Sequence, residues 1–175
     1  MISFDQARVI AESIVGDSGR KLSADVVIVA DGIIEKPYAW IFPYTTKRRL
    51  EGDLNYAIAG NSPLFVDKRD GRVSTFPTWL TMDGMIDAYE ERNSTWRLNV
   101  PVDVYWDTRL LSALKKYLHL TQDQVSRWKS KQEATIDMGA QVRLEKLAAL
   151  LLTDGIECVV VLNEDQSSEN AQNEA

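Results

Sequence analysis

Residues 37–76, PYAWIFPYTTKRRLEGDLNYAIAGNSPLFVDKRDGRVSTF, constrain this chain more than any other stretch. They hold an aromatic strand, a crossing segment and a hairpin punctuated by Gly and Asn. Tyr38–Tyr44 reads as a strand bounded by Pro37 and Pro43, and proline inside such a run favours an edge, an end or a bulge. Alternation puts Tyr38, Trp40 and Phe42 on one side, an apolar face wide enough to seat two helices. Farther on, Leu64–Asp67 and Arg72–Phe76 flank a polar turn in which Gly71 supplies the positive φ that a side chain resists, so the pair reads as a hairpin.

The flanking segments follow from periodicity. Residues 4–16 space Phe4, Ala7, Ile10 and Ile14 for an amphipathic helix, capped by Ser3 or Asp5 and stopped at Gly16 or Gly19. Val26–Ile34 reads as a strand with a turn or bulge at Asp31-Gly32, or with Asp31-Gly32 as a hairpin turn, antiparallel to 38–46 because the connection is too short for a crossover helix. Arg48–Ile58 reads as an irregular connection or a short helix, and Ala59–Pro63 as a turn. Thr81 caps a helix from Met82 to Glu91, with Met82, Met85, Ile86 and Tyr89 on one face.

After the polar junction Asn93–Thr95, Val102–Trp106 alternates like a strand. Helices follow at 110–118, after Thr121, and at 142–152, and then a strand at 156–162. The expected fold is α+β: an antiparallel four-stranded sheet with flanking helices (α-β-β-β-β-α) over residues 1–95, then a small β-α-α-α-β unit over 96–162. Residues 163–175 are polar, acidic and free of aromatics, which predicts a disordered tail.

Net charge is −6, and it is unevenly placed. Residues 1–97 carry 14 acidic and 12 basic side chains, 98–162 carry 8 of each, and 163–175 carry 4 acidic and none basic. Apart from Lys47-Arg48-Arg49 there is no basic stripe, which argues against direct nucleic-acid binding. A basic macromolecule is the better electrostatic match. The N-terminal residues lack the charged and apolar regions of a secretory signal, and no run is long enough to span a bilayer, so the cytoplasm is expected and a membrane is not. The sequence specifies no oligomeric state.

The inventory for chemistry is thin. His119 is the one histidine and sits where a helix C-cap is expected; Cys158 is the one cysteine, flanked by apolar residues that favour a buried structural thiol. Together they offer no metal set, no cofactor site and no activated thiol. Carboxylates occur in pairs at Glu51/Asp53, Asp67/Asp70, Asp83/Asp87 and Asp103/Asp107, and a carboxylate-dependent hydrolase would have to gather such a pair in a cleft. Solvated surface is the simpler reading of each pair. No catalytic residue is assigned, and a binding protein is expected rather than an enzyme. Trp40, Phe42, Trp106 and Trp128 read as core side chains. Trp79, in a loop after Pro77, is the aromatic placed to dock a partner.

Trp40-Ile41-Phe42-Pro43, Gly60-Asn61-Ser62-Pro63-Leu64-Phe65-Val66-Asp67, Asp70-Gly71-Arg72-Val73 and a terminal helix reaching Tyr89 resemble the YrhB-like, or Imm35, group of small bacterial proteins, many of them predicted immunity proteins of toxin systems. The resemblance covers about residues 3–92. It implies a small α+β fold that binds and neutralises a cognate toxin, an intracellular enzyme such as a nuclease or nucleic-acid deaminase. It also implies a second function, since one relative is described as chaperone-like: a general protein-binding adaptor. Residues of about 100–162, through Val102–Trp106, Leu111–Val125 and Leu150–Val161, are similar to the C-terminal domain of the ribosomal stalk protein L7/L12, implying a shared small fold. On this reading Gly60, Asn61, Pro63, Asp67, Gly71 and Tyr89 are architectural, with Trp40 and Phe42. The acidic interface candidates are Asp31, Glu35, Glu51, Asp53, Asp83, Asp87 and Glu90, joined by Trp79.

Overall fold

The computed structural model describes residues 1–131 and 134–164, so most of the expected tail lies outside the described residues. Contacts divide the chain into two units, Met1–Met85 and Ile86 onward, a division that falls inside one helix. The fold is α+β, and its larger sheet is four-stranded, antiparallel and flanked by helices.

The first unit begins with α1 (Phe4–Leu22), opened by a capping box in which Ser3 accepts from the Gln6 amide and Gln6 reaches back to the Ser3 amide. Ala7, Ala11 and Val15, four apart, form its buried stripe. The helix runs through both glycines expected to stop it and ends at Ser23, which is left-handed. Gly19 is a contact rather than a terminator: a Cβ there would lie 2.8 Å from the Ala24 carbonyl oxygen.

The single strand expected at 26–34 is two, β1 (Val26–Ile28) and β2 (Ile34–Glu35), separated by a 3-10 turn at Ala30–Gly32. Its partner is also divided, into β3 (Ala39–Phe42) and β4 (Tyr44–Thr46). The break is Pro43, a residue that has no amide to donate to a ladder. The antiparallel pairing is as expected, with Val26 opposite Thr46 and Ile34 opposite Ile41, but it builds two sheets: β1-β4, and β2-β3-β5-β6.

After α2 (Lys47–Leu50), β5 (Leu64–Asp67) and β6 (Val73–Ser74) make the hairpin. Every residue of β3 and β5 is buried. Trp40, Phe42, Leu64 and Val66 pack against the stripe of α1, with the Phe4 ring 6.0 Å from each of Trp40 and Phe42. One helix therefore fills the face expected to seat two. On the opposite face Phe65 meets Phe76 edge to face at 5.0 Å.

Helix α3 (Met82–Arg92) starts at Thr81, whose hydroxyl accepts from the Gly84 amide, and it carries the division between the units. The polar junction Asn93–Thr95 follows it. In the second unit the first strand is β7 (Trp96–Asn99), whereas Val102–Tyr105, expected to be a strand, is a 3-10 helix. Pro101 sets its entry and the Val104 amide bonds back to the Pro101 carbonyl, so adjacent residues, Val104 and Tyr105, are buried rather than alternate ones. Trp106, expected in the core, is 67% exposed with Lys129 Nζ 5.0 Å from its ring centroid. Trp128 is partly buried and stacks on Tyr105.

Helices α4 (Thr108–Leu118), α5 (Gln122–Lys131) and α6 (Gln141–Thr153) match the expected three. Between α5 and α6, however, lies an unexpected strand, β8 (Thr135–Gly139), and the last strand, β9 (Val159–Leu162), is shorter than expected. The order is thus β-α-α-β-α-β, with β7 central in an antiparallel sheet β8-β7-β9. Leu98 of β7 and Leu144 and Leu151 of α6 are fully buried in its core.

Candidate functional site

The connection from Lys47 to Ala57 is an exposed segment of the first unit held by its own hydrogen bonds. Thr46 caps α2 by accepting from the Arg49 amide, and its hydroxyl donates to the Tyr56 carbonyl, which ties the start of the connection to its end. Asp53 accepts from the Asn55 amide at 3.2 Å and from Arg48 Nη2 at 2.9 Å, and the Arg48 guanidinium lies 3.5 Å from the Tyr56 ring centroid. Asn61 then anchors the exit by donating from Nδ2 to the Tyr44 carbonyl. Held this way, the connection turns Leu50, Leu54 and Tyr56 outward at 53, 67 and 41% exposure, beside the exposed carboxylate of Glu51. Apolar side chains at such exposure on a hydrogen-bonded frame form a surface, not an unravelled loop.

The three apolar residues were not singled out by sequence reasoning. A signal was present: RLEGDLNYAI has mixed helical spacing interrupted by Gly52, so no continuous helix stripe forms to bury the leucines and the tyrosine. Of the acidic candidates, only Glu51 and Asp53 share this segment. Asp53 is a cap and an ion-pair partner. Asp31 is exposed in the 3-10 turn, and Glu35 is exposed but paired with Lys68 Nζ at 2.6 Å. Trp79 is 80% exposed, as expected. Asp83 is exposed in the first turn of α3.

Glu90 requires a correction. It is 3% exposed, and its Oε2 accepts from the Gln141 amide at 2.8 Å, while Glu91 Oε2 accepts from the Ala140 amide at the same distance. The two carboxylates satisfy otherwise orphaned donors at the start of α6 and oppose its positive end. Glu90 is withdrawn as an interface candidate and becomes architectural. Arg143 completes the arrangement with bonds to Asp137 at 2.5 Å and to Glu91 at 3.1 Å; the Asp137 bond foremost holds its guanidinium above the usual range. Asp87 and Glu91, with Ala88, Val142 and Lys146, line an open concavity of about 390 Å³. Glu91 is committed there to an amide and a guanidinium, an arrangement suited to holding a helix end rather than activating water.

The architectural residues are placed as follows. Trp40, Phe42 and Tyr89 are buried. Gly60 and Gly71 have φ of +75° and +77°, and Pro63 leads into β5. Asp67 is 5% exposed and fixes the hairpin turn by accepting from the Arg69 amide at 2.8 Å and from its guanidinium at 2.6 Å. His119 is the left-handed C-cap of α4. Burial pushes the Cys158 thiol up to about 11, which keeps it protonated near neutrality.

No group of three or more metal-ligating side chains occurs among the described residues, and no helix among them is long and apolar enough to cross a membrane. Comparison with known proteins finds no matching family model, no matching curated protein and no matching solved structure.

Proposed function

We propose that this chain is a binding protein that neutralises a cognate toxin domain, an enzyme with a basic, nucleic-acid-directed surface such as a nuclease or deaminase. The observation that carries the reading is the framed connection 47–57, where Leu50, Leu54 and Tyr56 stand outward beside Glu51. Outward apolar side chains interleaved with a carboxylate suit a specific protein interface, and excess negative charge speeds encounter with a basic partner. Neutralisation by covering an active-site approach needs no catalytic group in the inhibitor. Trp79 offers a second contact, as an exposed aromatic whose ring can fill a pocket on a partner.

A promiscuous, chaperone-like adaptor would use a broad apolar patch around Trp79, Met82 and Met85. Met85 is 5% exposed and Met82 is half-buried, so Trp79 stands without them. That favours one partner over many.

The test is to purify this chain together with the enzyme domain encoded beside it. Co-elution and loss of the enzyme's activity are expected, and Leu54→Glu should weaken the complex by at least about tenfold, the scale of one interface anchor. Separate elution with full enzyme activity would defeat the proposal.

A further inference from the structure

The three-stranded sheet of the second unit has two edges, and they are finished differently. Along β7 and β9, Asn163 donates its amide to the Thr95 carbonyl at 2.9 Å, and the register sets Arg97 opposite Val161 and Asn99 opposite Val159. Since hydrogen-bonded and non-bonded pairs alternate in an antiparallel ladder, residues 159, 161 and 163 face β7, while Val160 and Leu162 turn their amides and carbonyls away from the sheet. At the β8 edge the corresponding outward residue is Met138. Its amide donates to Asp137 Oδ1 at 2.8 Å and its carbonyl accepts from Arg143 Nη2 at 2.6 Å, so side chains occupy both of its backbone groups. That edge is blocked against another strand.

The β9 edge carries Val159-Val160-Val161-Leu162, a run with strong strand propensity and no charge, proline or bulge. We infer that β9 pairs antiparallel with β9 of a second copy of this chain, about a two-fold axis through Val161. Self-pairing is set by the register. The axis places outward-facing Val160 opposite Leu162 of the other copy, and the reverse, so each pair exchanges both backbone bonds. Charge favours the antiparallel sense: residues 163–175 carry 4 acidic side chains and no basic ones, and the two-fold sends the two acidic ends in opposite directions, whereas parallel pairing would set them side by side. The result is a continuous sheet β8-β7-β9-β9-β7-β8 whose two free edges are both of the blocked kind.

The axis also fixes one chemical distance. Val161 meets its own equivalent as a non-hydrogen-bonded pair, with Cα atoms about 4.5 Å apart, within disulfide reach. Val159 lies opposite residue 163 and does not meet its equivalent. In the full chain carrying Cys158→Ser, Val161→Cys should form a disulfide-linked dimer under mild oxidation at least about tenfold faster than Val159→Cys. Sedimentation of the unmodified chain at about 0.1–1 mM should show a mass twice that of the monomer, since so small an interface is weak. Val161→Lys, which keeps the backbone donor, lies outside the core cluster and sets two like charges opposite each other across the axis, should shift the chain to monomer with an unchanged circular dichroism spectrum. Equal cross-linking at the two positions would overturn the inference. So would a monomer at all concentrations, including one whose Val160 and Leu162 amides are protected from exchange because some other segment covers the edge.

Discussion

The four-stranded sheet of the first unit and the three-stranded sheet of the second are finished in opposite ways. In the first unit both central strands, β3 and β5, are buried along their whole length, covered by α1 on one face and closed around the Phe65–Phe76 pair on the other. In the second, β7 is the central strand among the described residues, and the neighbouring β9 lies at the edge of their sheet with Val159 60% exposed. A sheet saturated on both faces leaves its connections to meet partners, and here the connection 47–57 is the exposed surface. A sheet with an open edge can use its backbone. On the proposed function and the inferred β9 pairing, the same chain presents side chains in one unit and hydrogen-bonding groups in the other.

The largest effect should come from cutting the saturated core. Phe42→Ala should cost about 3–5 kcal/mol in urea denaturation, the range for deleting a buried aromatic, whereas Val159→Ala should change stability by less than about 0.5 kcal/mol. Similar losses at both positions would mean that the sheets are not finished differently. Next in size is Glu90→Ala, which strips the Gln141 amide of its buried acceptor and should cost about 1–3 kcal/mol. Hydrogen exchange should report it as faster exchange in the first turn of α6. If Glu90 were only surface charge, nothing would move.

Gly71→Ala should cost about 1–2 kcal/mol for the left-handed conformation alone. The new Cβ would also lie 2.8 Å from Ile10 Cδ1, so α1 must give way slightly. The smallest effect is chemical. With the Cys158 thiol pushed up to about 11, raising the pH from 7 toward 11 should steadily accelerate its alkylation, and at pH 7 it should react far more slowly than a free cysteine. Rapid reaction at neutral pH would mean that burial does not hold the thiol protonated.

Legibility in the sequence followed the same division. The hairpin at Gly71, the capping of α1 by Ser3 and of α3 by Thr81, and the helices α4 to α6 rest on local chemistry, and each could be read from a few neighbouring residues. Elements decided by distant partners could not. β8 is TIDMG, with Asp137 and Gly139 in a short segment where Ile136 is the sole buried large apolar residue; it is a strand because β7 pairs with it. Val102-x-Val104-x-Trp106 imitates strand alternation, but Pro101 and a 3-10 hydrogen bond bury adjacent residues instead. Of the candidate site, Trp79 and Glu51 were readable as exposed. Leu50, Leu54 and Tyr56 were not, because exposure of an apolar side chain depends on what fails to cover it, and Glu90 looked like surface because its partner lies at residue 141.

On the proposed function, the first unit is a scaffold whose connection 47–57 meets a toxin domain. Calorimetric titration of the neighbouring enzyme domain with the wild-type chain and with Leu54→Glu, at equal thermal stability of the two, tests it most directly. A one-to-one complex that silences the enzyme, weakened at least about tenfold by the substitution, is expected. A complex of unchanged affinity, or none with the wild-type chain, would contradict it.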